Sequence, residues 1–339
     1  MRRMRLRTVG QRGSNHGPVL DRRRFCLAAL AGAIVAGSAA AADFDDFIAE
    51  VRRDALEQGV SRGTLDRALA GLQPIARILQ LDKAQPERKV GFAEYLERTV
   101  NGYRIRRGRA KLSEHGPLLA AIGDAYGVEP RFIVSLWGME TDYGGYTGGF
   151  PVIGSLATLA FDGRRSFFRR ELIHALRIVE EGHVRLEDMT GSWAGAMGQA
   201  QFLPSSFRAY AVDYDGDGRR DIWLSTGDVL ASIANYLKEV GWRSKLSWGQ
   251  QVRLPPDFAA ELASIEVTRP VGEWLELGVV PESGASLPQG EVAASIVRPG
   301  GARGPAYLVT ENYRAIMRWN RSLYFATATG HLADRLAEA

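Results

Sequence analysis

The chain has 339 residues and a formal charge of +4, but residues 1–42 carry eight Arg against one Asp, which leaves the remaining 297 residues at net −3. A near-neutral body lacks the basic stripe that offsets phosphate charge, so nucleic acid is not the expected partner. The body is long enough to bury a large core, as one big domain or two intimate subdomains.

Taken in chain order, residues 1–42 read as an export signal. Arg2 to Arg24 is basic and poor in acids, Leu27 to Ala42 is apolar or small, and Ser38-Ala39-Ala40-Ala41-Ala42 offers an A-x-A cleavage site before Asp43. A membrane anchor is the alternative, but the run falls short of the roughly 20 apolar residues a bilayer requires. A periplasmic protein cleaved near Ala42, with no transmembrane span in its mature form, is therefore expected. Asp21-Arg22-Arg23-Arg24-Phe25 resembles a twin-arginine signal, with a Sec signal as the other option. Cys26, the only cysteine, precedes the apolar run, so neither a lipid anchor nor a disulfide is expected.

Residues 44–110 carry helical spacing in Phe44, Phe47, Ile48 and Val51. Ser61 and Thr64 are N-cap candidates for a helix over Asp66–Leu72, and Pro74 and Pro86 interrupt the stretch. Pro117 suits the first turn of a helix that Gly127 stops. Pro130 opens the next, which places Phe132, Ile133, Leu136, Trp137 and Glu140 on one face. Phe167, Phe168, Leu172, Ala175, Leu176 and Val179 repeat the period, as do Val229, Leu230, Ile233, Ala234 and Leu237. After about residue 248 the pattern turns to short strands broken by Pro and Gly, marked by Val252, Leu254, Ile265, Val267, Val279, Ile296, Tyr307 and Val309. Helix returns near Asn312 and continues to the end, so no extra C-terminal domain is expected. The expected fold class is α+β and predominantly α-helical, with a β-containing insert over about 249–310.

Glu140 is the residue out of place. It puts a carboxyl on an apolar helix face, in a last turn where the helix dipole disfavours negative charge. Burial acts in the same direction, so its pKa should rise. An acid that protonates a glycosidic oxygen needs this property. A solvated Glu at a frayed helix end, or one that bonds a buried donor, is the alternative.

Trp137-Gly138-Met139-Glu140-Thr141-Asp142-Tyr143-Gly144 resembles the catalytic-glutamate segment of the membrane-bound type B lytic transglycosylases. Later family blocks follow in order: Leu156 to Arg165, Gly191 to Phe202, Asp213 to Trp223, and Ser232 to Leu237. The resemblance implies a lysozyme-like core, about 117–248 here, and cleavage of the β-1,4 bond between N-acetylmuramic acid and N-acetylglucosamine in peptidoglycan glycan strands. Ordinary glycosidases use two carboxyl groups. The lytic reaction implied here uses one, Glu140, and closes a 1,6-anhydro ring. Asp142 faces away from Glu140, and Asp162 and Glu171 stand as candidates for a second acid. No cofactor is expected for the chemistry, and a monomer is expected.

The resemblance also implies sugar contacts. Ser192 and Gln201 match positions that touch acetamido groups or support the glutamate, and Tyr236 matches an aromatic of the cleft. A turn role for Ser192 and core packing for Tyr236 are the alternatives. Arg164 and Arg165 suit carboxylates of the substrate, or else form a solvated basic face. Tyr95 matches a cleft tyrosine, and Trp319-Asn320-Arg321-Ser322 puts Asn320 near the groove. Phe325 stands where the family has tyrosine, with Tyr324 one residue early.

Asp213-Tyr214-Asp215-Gly216-Asp217-Gly218-Arg219-Arg220-Asp221 follows a calcium loop, with Arg219 offering a backbone oxygen. Leu224 stands where a bidentate Glu belongs. Asp228 matches the family's late ligand, or else caps the following helix. A structural Ca2+ is expected here, with Mg2+ a poorer fit. His115, His174, His183 and His331 show no metal spacing, and Gly144 to Gly149 follows a helix, so it is no nucleotide loop. Two rival readings remain: a muramidase that hydrolyses the same bond, and a non-catalytic peptidoglycan-binding protein.

Overall fold

The structure is a computed structural model, in which residues 43–84, 90–162, 165–282 and 291–338 are described. The export signal expected over 1–42, Pro86 and Arg164 lie outside these residues, as does the side chain of Arg165. The chain divides into two units, Met1–Asp46 and Phe47–Ala339. Of the first only residues 43–46 are described, and they are helical. The second unit carries every other described element.

Helices dominate that unit. In order they are α1 (47–57), α2 (Arg62–Ala68), α3 (Ala76–Lys83), α4 (Phe92–Thr99), α5 (Gly102–Glu114), α6 (Gly116–Tyr126) and α7 (Pro130–Thr141). After the two-residue strand β1 (Phe150–Pro151) come α8 (Val152–Phe161), α9 (Arg165–Glu180), β2 (Thr190–Gly191), α10 (Pro204–Tyr210) and α11 (Thr226–Glu239). The sheet region holds β3 (Gly249–Arg253), β4 (Arg269–Pro270), α12 (Val271–Glu276), β5 (Val280–Pro281), β6 (Ala293–Val297) and β7 (Ala306–Val309), and α13 (Glu311–Trp319) and α14 (Leu323–Ala337) follow. None of the described helices is long and apolar enough to cross a membrane.

Local signals explain most boundaries. Gly127 ends α6 in the left-handed region at φ 70°. Pro130 opens α7, where its missing N–H costs nothing. The helix expected over Asp66–Leu72 begins earlier, at Arg62, because the Ser61 hydroxyl accepts the Thr64 N–H and thereby fixes the first turn. Thr64 is the capped residue and not the cap. Phe167, expected on a buried face, is 40% exposed, since the buried stripe of α9 runs through Phe168, Leu172, Ala175 and Leu176.

α7 lies at the centre of the helical body. Phe132 to Gly138 are all buried, and the helix packs against α14, α5, α11 and α6. Each large apolar side chain so enclosed contributes about 1.5–3 kcal/mol. Ser135 donates to the Thr329 carbonyl of α14 at 2.7 Å, which locks the two helices in register. Tyr143 folds back over α7, where a methyl group at Gly138 would lie 2.6 Å from its ring. Only glycine permits that approach.

The five strands form one antiparallel sheet, ordered β4-β6-β7-β3-β5. Its buried face carries a separate core of Val252, Val271, Trp274, Val279, Ala294, Ile296, Ala306 and Leu308. Ile265 and Val267, expected in strands, lie in the turn region before β4. The Ile265 carbonyl there accepts a 2.6 Å hydrogen bond from Arg314 of α13, so a side chain completes what a strand partner would have supplied.

Candidate active site

Glu140 sits in the last turn of α7, half-buried. Its Oε1 accepts a 2.7 Å hydrogen bond from the indole N–H of Trp319, at the C-terminal end of α13. Burial pushes the carboxyl up to about 7, and the Trp319 bond, which favours the charged form, holds it back. Neither cause is a neighbouring carboxylate. Burial is one of the two causes the sequence predicts.

The turn after Glu140 is built against local preference. Asp142 and Tyr143 have φ of 50° and 61°, two successive non-glycine residues in the left-handed region, at a cost of order 1 kcal/mol or more each. Tertiary bonds offset this. The Asp142 carboxylate pairs with Arg107 and lies 3.6 Å from Arg104, while the Tyr143 hydroxyl donates to the Arg104 carbonyl at 2.8 Å.

Asp142 is thus held by two guanidinium groups and turned from the site. The buried Glu171 accepts from the Ser205 N–H and hydroxyl at 2.9 and 2.7 Å, at the first turn of α10. Asp162 is exposed at the end of α8. Asp142 and Glu171 are thus both engaged by other groups.

Aromatic rings surround the Trp319 indole that bonds the carboxyl. Trp319 lies 5.2 Å from Phe202 and 4.7 Å from Tyr236, centroid to centroid. Tyr236, on α11, packs edge-on to Tyr210 at 4.5 Å and donates to the Arg318 carbonyl at 2.7 Å. It is buried, as the core-packing alternative expects, and it packs against the Trp319 ring that bonds Glu140. Tyr95, on α4, is raised in pKa chiefly by burial, and the charge of Glu140 also raises it. The two groups are therefore within electrostatic reach. Tyr324 packs on Tyr95 at 5.5 Å while Phe325 is buried, so the ring one residue early is the one on the Tyr95 side.

The other candidates have mixed placements. Ser192 closes a turn: its N–H donates to the Ala196 carbonyl at 2.8 Å and its hydroxyl accepts the Ala196 N–H at 3.0 Å. Gln201, at φ 50°, donates to the carbonyls of Thr147 and Gly198 at 3.0 and 2.9 Å, which ties its loop to the glycine-rich segment after Glu140. Asn320 is exposed beside Trp319 and caps α13. Arg165 begins α9, and Arg164 lies outside the described residues. Sequence reasoning missed Trp319 and Phe202 as companions of Glu140. A half-buried indole needs an acceptor for its N–H, and that was the available signal.

The acidic loop follows α10. Asp213, Asp215 and Asp217 place carboxylate oxygens within 4.8 Å of one another. Gly216 and Gly218, at φ 76° and 89°, let the chain wrap so that both their N–H groups donate to Asp213 at 2.8 Å. Asp228 is fully buried, and its two oxygens accept from Tyr214 N–H at 2.9 Å and Asp221 N–H at 2.6 Å. It fastens the two ends of the loop. The cap of α11 is Ser225, whose hydroxyl accepts the Asp228 N–H. Asp221 accepts from the N–H groups of Trp223 and Leu224, and Leu224 is 82% exposed.

Residues 43–334 match the model of the family described as Transglycosylase SLT domain. The chain is 28% identical over 300 residues to membrane-bound lytic murein transglycosylase B of Escherichia coli (strain K12), covering 84% of this chain and 80% of that one. It is similar in structure to SltB3 from Pseudomonas aeruginosa in complex with NAG-anhNAM-pentapeptide, with TM-score 0.83 and 45% identity over 86% of this chain and 79% of that one. Escherichia coli Slt35 in complex with calcium gives TM-score 0.73 and 27% identity over 87% and 92% of the two chains.

Proposed function

Because the chain belongs to the Transglycosylase SLT domain family and is a lytic murein transglycosylase of lysozyme-like fold, we propose that Glu140 is its single acid and base. The observation that supports this is a carboxyl pushed up to about 7 by burial, bonded to Trp319 and uncoupled from any second carboxylate. Protonated Glu140 donates to the oxygen between N-acetylmuramic acid and N-acetylglucosamine, and the C1–O bond breaks with the electron pair leaving on that oxygen. Positive charge develops on the muramic acid ring. The C6 hydroxyl then attacks C1, and its proton passes to the Glu140 carboxylate. A 1,6-anhydro ring closes, no water is consumed, and the acid is regenerated.

SltB3 has been seen in complex with NAG-anhNAM-pentapeptide, which supports an anhydro end as the outcome here. Product masses test it. Digestion of purified sacculi should release muropeptides one water lighter than those of a hydrolytic muramidase, and a full-mass reducing end as the main product would overturn the reading. Tyr95, Tyr236 and Asn320 are the side chains assigned to the sugar at Glu140, a reading supported by the effect of Glu140 on Tyr95 and by the position of Tyr236 and Asn320 next to Trp319, with Ser192 and Gln201 shaping the loop. Peptidoglycan lies in the periplasm, and the Arg-rich leader read over residues 1–42 is the export signal that location requires.

The acidic loop suits Ca2+. Three clustered carboxylates repel one another without a cation, and the ion would be held by Asp213, Asp215, Asp217 and the Arg219 carbonyl, with Asp228 bracing the loop. Its role is structural, since it stabilises the folded form by mass action. Adding Ca2+ to chelator-treated protein should raise the Tm by several degrees, more than Mg2+ does, and Asp215→Asn should blunt the response. An unchanged Tm at millimolar Ca2+ would refute the site.

A further inference from the structure

We infer that Gln199 is a positioning residue for Glu140, acting through Trp137. Its side-chain amide is used at both ends: Oε1 accepts the Trp137 indole N–H at 3.0 Å, and Nε2 donates to the Trp223 carbonyl at 2.9 Å. Its backbone is used as well. The N–H donates to the Ile222 carbonyl at 2.8 Å, and the carbonyl accepts the Thr141 hydroxyl at 2.9 Å. Trp137 and Thr141 flank Glu140 on the last turn of α7, whereas Ile222 and Trp223 leave the acidic loop. One residue therefore clamps the end of the catalytic helix to a segment on another element.

The clamp has one orientation. Rotating the amide by half a turn would set its NH2 against the Trp137 N–H and its oxygen against the Trp223 carbonyl, which breaks both bonds. Space is equally restrictive. A methyl group at Gly144 would lie 2.3 Å from Gln199 Oε1, so the turn after Glu140 carries glycine where the amide passes. Trp137 is only 3% exposed, with Tyr143 edge-on at 5.8 Å, so movement of its indole moves the turn with it. A misplacement of about 1 Å can cost a reaction as much as 100-fold. The inference rests on Glu140 being the acid.

The test compares Gln199→Met, Trp137→Phe and the double variant on solubilised glycan strands, with kcat, KM and the basic limb of the kcat–pH profile as readouts. Gln199→Met keeps the volume and removes both side-chain bonds, and Trp137→Phe removes the indole N–H. Each single variant should lower kcat about 10-fold with KM within twofold. The basic limb should move toward the ordinary carboxylate range, and the double variant should be no slower than the worse single. Full additivity, or an unchanged kcat and pH limb in folded Gln199→Met with only a lower Tm, would overturn the inference. Should Gln199→Met not fold, Trp137→Phe decides alone by the same two readouts. A turnover-competent Glu140→Gln would instead remove the reading beneath it, so the two failures are distinguishable.

Discussion

Glu140→Gln should bind glycan strands as the wild type does and release anhydro product about 10^2–10^4-fold more slowly. The upper end is expected, because the same group first gives a proton and then takes one. The amide preserves an oxygen for the Trp319 N–H, so the pocket need not rearrange. No neighbour can substitute: Asp142 is paired with Arg107 and Arg104, and Glu171 is bonded to Ser205. Co-sedimentation with sacculi measures binding, and muropeptide release measures turnover. Retention of more than a tenth of the wild-type rate would refute the assignment of Glu140.

The same substitution should make the protein more stable above neutrality. Folding raises the Glu140 pKa from 4.5 to about 7, so the folded state holds the proton more tightly than the unfolded state. The contribution is complete below about 4.5 and is lost as pH rises through about 7. By pH 8 the wild type has given up nearly all of this, roughly 3 kcal/mol at 1.36 kcal/mol per pKa unit. Glutamine does not titrate. Denaturant unfolding at pH 4.5, 6 and 8 should show the variant gaining over the wild type as pH rises, with the largest gap at pH 8. A gap that stays constant across the three would mean that the folded carboxyl is not raised.

Helix α7 could be read from the sequence because its signals are local: Gly127 before it, Pro130 at its first turn, and apolar residues at 132, 133, 136 and 137. Glu140 was legible for the same reason, as a polar group on a buried face. The partner of that carboxyl was not, since Trp319 lies 179 residues away and nothing in its neighbours specifies α7. The left-handed turn at Asp142 and Tyr143 was equally hidden, because neither residue type asks for it and Arg104 and Arg107 enforce it from α5. Spacing revealed the acidic loop, but it could not show that Asp228 spends both oxygens on backbone N–H groups. The strand signals of Ile265 and Val267 misled because Arg314, distant in sequence, satisfies a carbonyl there.

The separation between Glu140 and Trp319 has a consequence for the newborn chain. Synthesis delivers Glu140 long before α13 and α14 exist, so its carboxyl gains the Trp319 partner only after these helices dock. On the role proposed for Glu140, cutting competence is then a property of the finished tertiary structure, which the nascent chain lacks.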